Sequence, residues 1–268
     1  MKYSLLLTGS ILLLAGNADA LQFPHPTGSI GVFNAGTWWL DVDRSFGWSG
    51  TGPGADQVHS FGTTGDRPVV LQGQPCGSNL TAVIGVTRGN NWYVTKNDLD
   101  YDSAGDDPNA FVFGSGTVTP FSRPGIVVAF YDGVYRVDYD RNHAEDERDL
   151  LIPSDNPSEV PLLGNWLKQV PVPNFGSFEP STGTWHIQLF NPTPVWHFGV
   201  TGSDVPVVMP YSDGVDHIGV FSNGNWYMDT NGNHVWDGTA GGDAYWAFGN
   251  PNDIPVIARE GSWTGECG

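Results

Sequence analysis

The stretch "IGVFNAGTWWLD", from Ile30 to Asp41, returns four times along the chain. It reappears as "IGVTRGNNWYVT" from Ile84, "VVAFYDGVYRVD" from Val127, "FGSFEPSTGTWHIQ" from Phe175 and "IGVFSNGNWYMD" from Ile218. A second segment follows it each time: "VHSFGTTGDRPVV" from Val58, "AFVFGSGTVTPFS" from Ala110, "VWHFGVTGSDVPVV" from Val195 and "YWAFGNPNDIPVI" from Tyr245, with "LLIPSDNPSEVPLL" from Leu150 as a divergent copy. Each unit thus contains a GVF run, a WY run after a Gly turn, a YxFG run and a PVV run preceded by an Asp/Asn turn. All are short, rich in β-branched and aromatic residues, and bounded by Gly, Pro, Asn or Asp, which is how strands and their turns read in sequence.

The units lie near 30–82, 83–125, 126–172, 173–216 and 217–260 within one domain, 21–268. Four strands in a period of roughly 40–50 residues mark a repeat architecture and predict an all-β fold, a five-bladed β-propeller of four-stranded blades. An open array of small β units is the competing architecture. Cys76 follows the last strand of the first unit and Cys267 is the penultimate residue. In a closed ring the fifth blade neighbours the first, so the spacing predicts a Cys76–Cys267 disulfide joining the chain ends.

Composition agrees with many short strands. The 268 residues include 36 Gly, 20 Pro and 11 Trp, a mixture that disfavours helices. The formal charge of −18 repels a phosphate backbone and excludes nucleic acid as a natural partner. Residues 1–20 combine Lys2, the apolar run "LLLTGSILLLAG" and the small-residue site Ala18-Asp19-Ala20, a pattern that predicts a secretory signal peptide and a secreted protein, extracellular or periplasmic. No later segment reaches the roughly 18 apolar residues of a membrane-spanning helix. Trp38, Trp92, Tyr135, Trp185 and Trp226 occupy equivalent places in the units, which reads as core between blades; exposed sugar-stacking platforms are the alternative.

The chemistry lies after the WY run. Asp229, Asn231, Asn233 and Asp237 stand at positions 1, 3, 5 and 9 of one stretch. The same spacing recurs in the third unit as Asp138, Asp140, Asn142 and Asp146, and in the second, three residues later, as Asp98, Asp100, Asp102 and Asp106. The first unit offers Asp41, Asp43, Ser45 and Ser49, while "QLFNPTPVW" in the fourth has lost the pattern. Calcium takes six to eight oxygens, and alternate residues of a tight loop supply them. Without a cation, several carboxylates inside nine residues repel one another, so the spacing predicts calcium sites, with the first-unit loop the poorest. No glutamate closes the loops at position 12, which separates them from EF-hands.

The "FxxGxWYxDxNGNxxWD…YxFGxxxDIPV" cadence resembles the FG-GAP/VCBS-type repeats of secreted bacterial propellers over residues 30–258, most closely at 195–258. That resemblance implies a calcium loop between strands and a role in adhesion or ligand binding. The acidic loop common between PVV and the next GVF in such repeats survives here only as "YSDGVD", 211–216. A glycosidase needs a pair of carboxylates flanking a sugar, and candidates outside the repeated loops are few: Glu179, Glu260 and the "AEDERD" cluster at 144–149. His143 and His234 share one loop position, which points to repeat ancestry. The sequence therefore reads as a non-catalytic binding or adhesion module, with a glycan or an extracellular protein as ligand; a glycoside hydrolase and a purely structural calcium-stiffened domain are the alternatives.

Overall fold

The computed structural model describes residues 24–76, 79–95, 110–123, 126–166, 174–188 and 194–259. Among the described residues twenty strands, β1–β20 in chain order, form five four-stranded antiparallel sheets arranged as a five-bladed β-propeller. The innermost strands are the PVV runs: β4 (Arg67–Cys76), β8 (Thr119–Arg123), β12 (Val160–Gly164), β16 (Val205–Pro210) and β20 (Ile254–Ala258). Next come the GVF runs, β1 (Ser29–Asn34), β5 (Asn79–Arg88), β9 (Ile126–Tyr131), β13 (Asn174–Glu179) and β17 (Asp216–Ser222). The third strands are β2 (Thr37–Leu40), β6 (Asn91–Val94), β10 (Val134–Val137), β14 (Thr184–Ile187) and β18 (Asn225–Met228). The outer strands are β3 (Gln57–Ser60), β7 (Phe111–Val112), β11 (Leu150–Pro153), β15 (Val195–His197) and β19 (Ala244–Ala247).

The blades are offset by one strand from the sequence units. The PVV run that ends each unit is the inner strand of the next blade, and the last of them, β20, pairs antiparallel with β1 from Ser29↔Ala258 to Phe33↔Ile254. The ring is therefore closed by backbone hydrogen bonds between the first and last strands. The expected Cys76–Cys267 bridge falls outside what is described: Cys267 is not among the described residues, nor is the side chain of Cys76.

Local chemistry sets the blade geometry. The hairpin joining second to third strand turns with positive φ at both central residues, Ala35 and Gly36, Asp132 and Gly133, and Asn223 and Gly224, the twist that a two-residue hairpin needs. The glycine of "IGVF" is dictated by close approach: a Cβ at Gly219 would stand 2.6 Å from the Tyr227 carbonyl oxygen, and one at Gly176 2.6 Å from that of His186. The aspartates before the inner strands are turn residues. Asp66, Asp204 and Asp253 accept the N–H of Thr63, Val200 and Asn250 at 2.8, 2.6 and 2.7 Å.

Five hydrophobic cores lie between neighbouring blades, one for each interface. Trp38, Trp92, Tyr135, Trp185 and Trp226 anchor one each and are fully buried, so these rings are core and not platforms. Each indole donates its Nε1–H to the carbonyl of the outer-strand FG phenylalanine: Phe61, Phe113, Phe198 and Phe248, at 2.8–3.0 Å. The third blade lacks that FG pair. There Tyr135 donates its hydroxyl to Gly176 O in the next blade and accepts the N–H of Leu162, which explains the exception at this position. Trp185→Ala removes a buried ring and takes its N–H donor from the Phe198 carbonyl, and urea unfolding should register a loss of about 3–5 kcal/mol.

The inner strands surround a central channel of about 270 Å3, lined by the repeated prolines Pro68, Pro120, Pro161, Pro206 and Pro255. At the end where these strands terminate, Asp216 of the fifth blade draws three others together. It pairs with Arg123 of the third blade at 3.0 Å and with Arg259, which follows β20, and it accepts the N–H of Asn165, which follows β12. Its side chain is 3% exposed. Burial opposes its ionisation, but the two guanidinium groups outweigh burial and hold its carboxyl below the ordinary 3.8. Among the described residues, no helix is long and apolar enough to cross a membrane.

Candidate metal centres

Three loops joining a third strand to an outer strand are described, 41–56, 138–149 and 229–243, and they share one construction. Position 1 is rooted in the sheet: the N–H groups of Asp41, Asp138 and Asp229 still bond to Ile30, Val127 and Ile218 carbonyls at 3.0–3.1 Å. Their side chains turn inward and are almost wholly buried. Each carboxylate accepts the N–H of positions 5 and 6: Ser45 and Phe46 on Asp41, Asn142 and His143 on Asp138, Asn233 and His234 on Asp229, all at 2.9–3.1 Å. Positive φ at position 4 (Arg44, Arg141, Gly232) and position 6 (Phe46, His143, His234) curls the chain around that carboxylate. Position 3 caps the N–H of position 5, through Asp43, Asp140 and Asn231.

The sequence reading missed one residue in every loop. Asp56, Asp149 and Asp243 each stand immediately before an outer strand, buried, and each accepts the N–H of position 9: Ser49 at 2.7 Å, Asp146 at 3.0 Å and Asp237 at 2.9 Å. Thus position 9 supplies a backbone donor, and the carboxylate closing the loop comes from further along. The oxygens of Asp41, Asp43 and Asp56 lie within 4.8 Å of one another, and so do those of Asp138, Asp140 and Asp149. In the fifth blade Asn233 bonds to Asp237 at 3.0 Å and Asn231 to Gly241, so Asp229, Asn231, Asn233, Asp237 and Asp243 form one connected set. Asp146 is held by Asn142 at 2.9 Å, while Ser45 turns its hydroxyl to Gly47 O. Asp98, Asp100, Asp102 and Asp106 lie outside the described residues.

Electrostatics single out three of these groups. Burial pushes the Asp41 carboxyl up to about 7, against the Phe46 N–H and with Asp43 and Asp56 raising it further. Burial likewise pushes Asp243 up to about 6 and raises Asp149. Asp243 Oδ1 is buried and has no hydrogen bond. Leaving an ionisable oxygen in that state costs about 1–3 kcal/mol or more. In the third blade the exposed Arg148 guanidinium rests on Asp140 at 3.1 Å and Asp146 at 3.3 Å, supplying positive charge from the solvent side. The donor sets contain carboxylate, amide and carbonyl oxygen and no sulfur or imidazole, which suits a hard cation such as calcium.

Position 6 has a second task. Phe46 stacks on Trp246 at 4.1 Å, His143 on Phe111 at 4.2 Å and His234 on Trp196 at 3.9 Å, each partner belonging to the outer strand of the preceding blade. Every described loop therefore bridges two blades. Two of the acids considered for catalysis, Glu145 and Glu179, have partners of their own. Glu145 accepts from Tyr131 and pairs with Arg136, Glu179 holds Ser181 and Thr182, and Glu260 is not among the described residues. Compared with family models, with curated proteins and with solved structures, the chain matches none of them.

Proposed function

We propose that this protein is a secreted, calcium-stiffened propeller acting as a non-catalytic binding or adhesion module, its chain ends joined by Cys76–Cys267. The observation that carries the calcium reading is the buried carboxylate pair in each described loop: Asp41 with Asp56, Asp138 with Asp149, and Asp229 with Asp243, whose Oδ1 has no hydrogen bond. Asp43, Asp140, Asn231, Asn233 and Asp237 would complete the oxygen shells. A divalent cation would supply the charge that offsets the burial of Asp41, Asp149 and Asp243, and it would fix each loop, whose position 6 stacks on the preceding blade. The FG-GAP/VCBS-type cadence supports the same assignment, as do the signal-like residues 1–20 for export.

A thermal melt of the mature protein in EDTA, in magnesium and in calcium tests this. A cation bound to the folded state alone contributes about 2.7 kcal/mol per site at a hundredfold excess over its Kd, and in a domain of this size each kcal/mol moves Tm by about 2–4 °C. Millimolar calcium should therefore raise Tm by roughly 5–10 °C per occupied site, magnesium by less, and Asp43→Ala with Asp140→Ala should remove the share of the gain that belongs to the first- and third-blade loops. Identical melts in the three buffers would reduce the loops to turn chemistry.

A further inference from the structure

The cleft between the first and fifth blades contains a second cavity, of about 310 Å3, lined by Val32, Trp39, Trp48, Phe248, Gly249 and Asn250. That volume sits at the small end of ligand pockets. Trp48 projects from the first metal loop with 47% of its surface exposed. Its ring stands 6.1 Å from that of Phe248 at 54°, so the two make the walls of a corner. None of the lining residues is basic, and Asn250 brings the neighbouring Asp253 carboxylate close, bonding to it through its backbone N–H at 2.7 Å.

The repeat supplies internal controls. Trp39, Trp48 and Phe248 correspond by position to Tyr227, Trp236 and Phe198 in the cleft between the fifth and fourth blades. There Trp236 lies about as far from Phe198, 6.0 Å, as Trp48 does from Phe248, but it also meets Tyr227 edge-on at 5.1 Å, and the apolar Val200, where the open cleft has Asn250, packs with both into the same core. In the cleft between the third and second blades the matching positions hold Arg136 and Glu145, paired at 2.9 Å, and the Arg136 guanidinium lies 3.6 Å over the Tyr131 ring. One copy of the cleft is thus sealed with aromatic rings, and another is filled by the protein's own cation on an aromatic face. The first-blade copy keeps the rings and leaves the space open.

We propose that the Trp39–Trp48–Phe248 cleft binds a quaternary ammonium group of the choline type. Three aromatic rings line the cleft, and aromatic faces attract a cation that needs no hydrogen bonds; the protein's formal charge of −18 favours positive ligands, and a lining whose one amide side chain is Asn250 is poorly equipped to hold the hydroxyls of a sugar. The inference rests on the reading of the molecule as a binding module and not on its metal.

Titration of the mature protein with choline and tetramethylammonium, followed by calorimetry and tryptophan fluorescence in EDTA and again in calcium, tests it. Choline should bind at least tenfold more tightly than its uncharged carbon isostere 3,3-dimethylbutan-1-ol, in both buffers. Trp48→Ala, at an exposed position, should abolish binding with an unchanged melt, and Asn250→Val, which copies Val200 of the sealed cleft, should weaken it at least fivefold. Equal affinity for the neutral isostere, binding that survives Trp48→Ala, no binding at millimolar choline, or a response to methyl glycosides alone would each overturn the proposal. A calcium-independent melt would leave it standing, so the two readings fail separately.

Discussion

A chain ending at Asp253 will not fold. Removing β20 strips β1 of its partner at five consecutive positions, from Ser29↔Ala258 to Phe33↔Ile254. It also opens two cores at once, because Val256 and Ala258 pack between the first and second blades while Ile257 packs toward the fifth. The exposed edge of β1 and two half-empty interfaces cannot be covered by rearrangement within the remaining sheets. Near-ultraviolet circular dichroism should lose its tertiary signal and the thermal transition its cooperativity. A synthetic peptide spanning 254–268, added in trans, should restore part of both. Cys267→Ser is the informative contrast. The proposed Cys76–Cys267 bond would contribute about 2–4 kcal/mol, so that variant should stay cooperative and melt roughly 5–15 °C lower. A truncated chain that melts like the full-length protein would show that β20 is dispensable to the ring.

The second large effect lies at the end of the central channel. Asp216→Ala should cost about 3–5 kcal/mol, because it leaves the guanidinium groups of Arg123 and Arg259, 11% and 16% exposed, without their shared carboxylate. In this domain that is a fall of roughly 10–15 °C in Tm. The pH dependence has a definite sign. The folded carboxyl titrates below the ordinary 3.8, so its contribution is present above that value and is lost as pH falls through the lower, folded one. Acid unfolding of the parent protein should therefore show a stability loss below about pH 4 that the alanine variant lacks. Parallel acid limbs in the two proteins would mean that folding does not lower the Asp216 carboxyl.

The strands were legible because each is written five times. A lone GVF or WY run is ambiguous, but five copies in one order define four strands per period and place the large aromatic of every third strand in a core. Where a sheet begins was not legible, since a repeat of four strands looks the same from any of its four starting points. The clue lay at the margins: the pattern opens on a GVF run at Ile30 and closes on a PVI run at Val256, so the orphan at each end is the other's partner. The metal loops were half legible. Positions 1, 3 and 5 have fixed spacing because one turn of chain wraps a buried carboxylate. Asp56, Asp149 and Asp243 follow position 1 by fifteen, eleven and fourteen residues, and no window of constant width finds them. Their common mark is that each directly precedes an outer strand. The open cleft was invisible, because its three rings are spelled almost as they are in the sealed copy.

The pairing that closes the ring also sets how the molecule bears load. Ser29 lies opposite Ala258, so a pull on the two ends enters β1 and β20 at the same end of their ladder. Hydrogen bonds loaded in that direction break one after another, as a zipper opens, whereas strands pulled from opposite ends share the force among all their bonds. Tension between the termini would therefore peel the first blade apart early. A Cys76–Cys267 bond would divert that tension from the C-terminal end into β4, sparing the β1–β20 ladder. For a module tethered between two surfaces, the disulfide would then act less as an added increment of stability than as a bypass for strain.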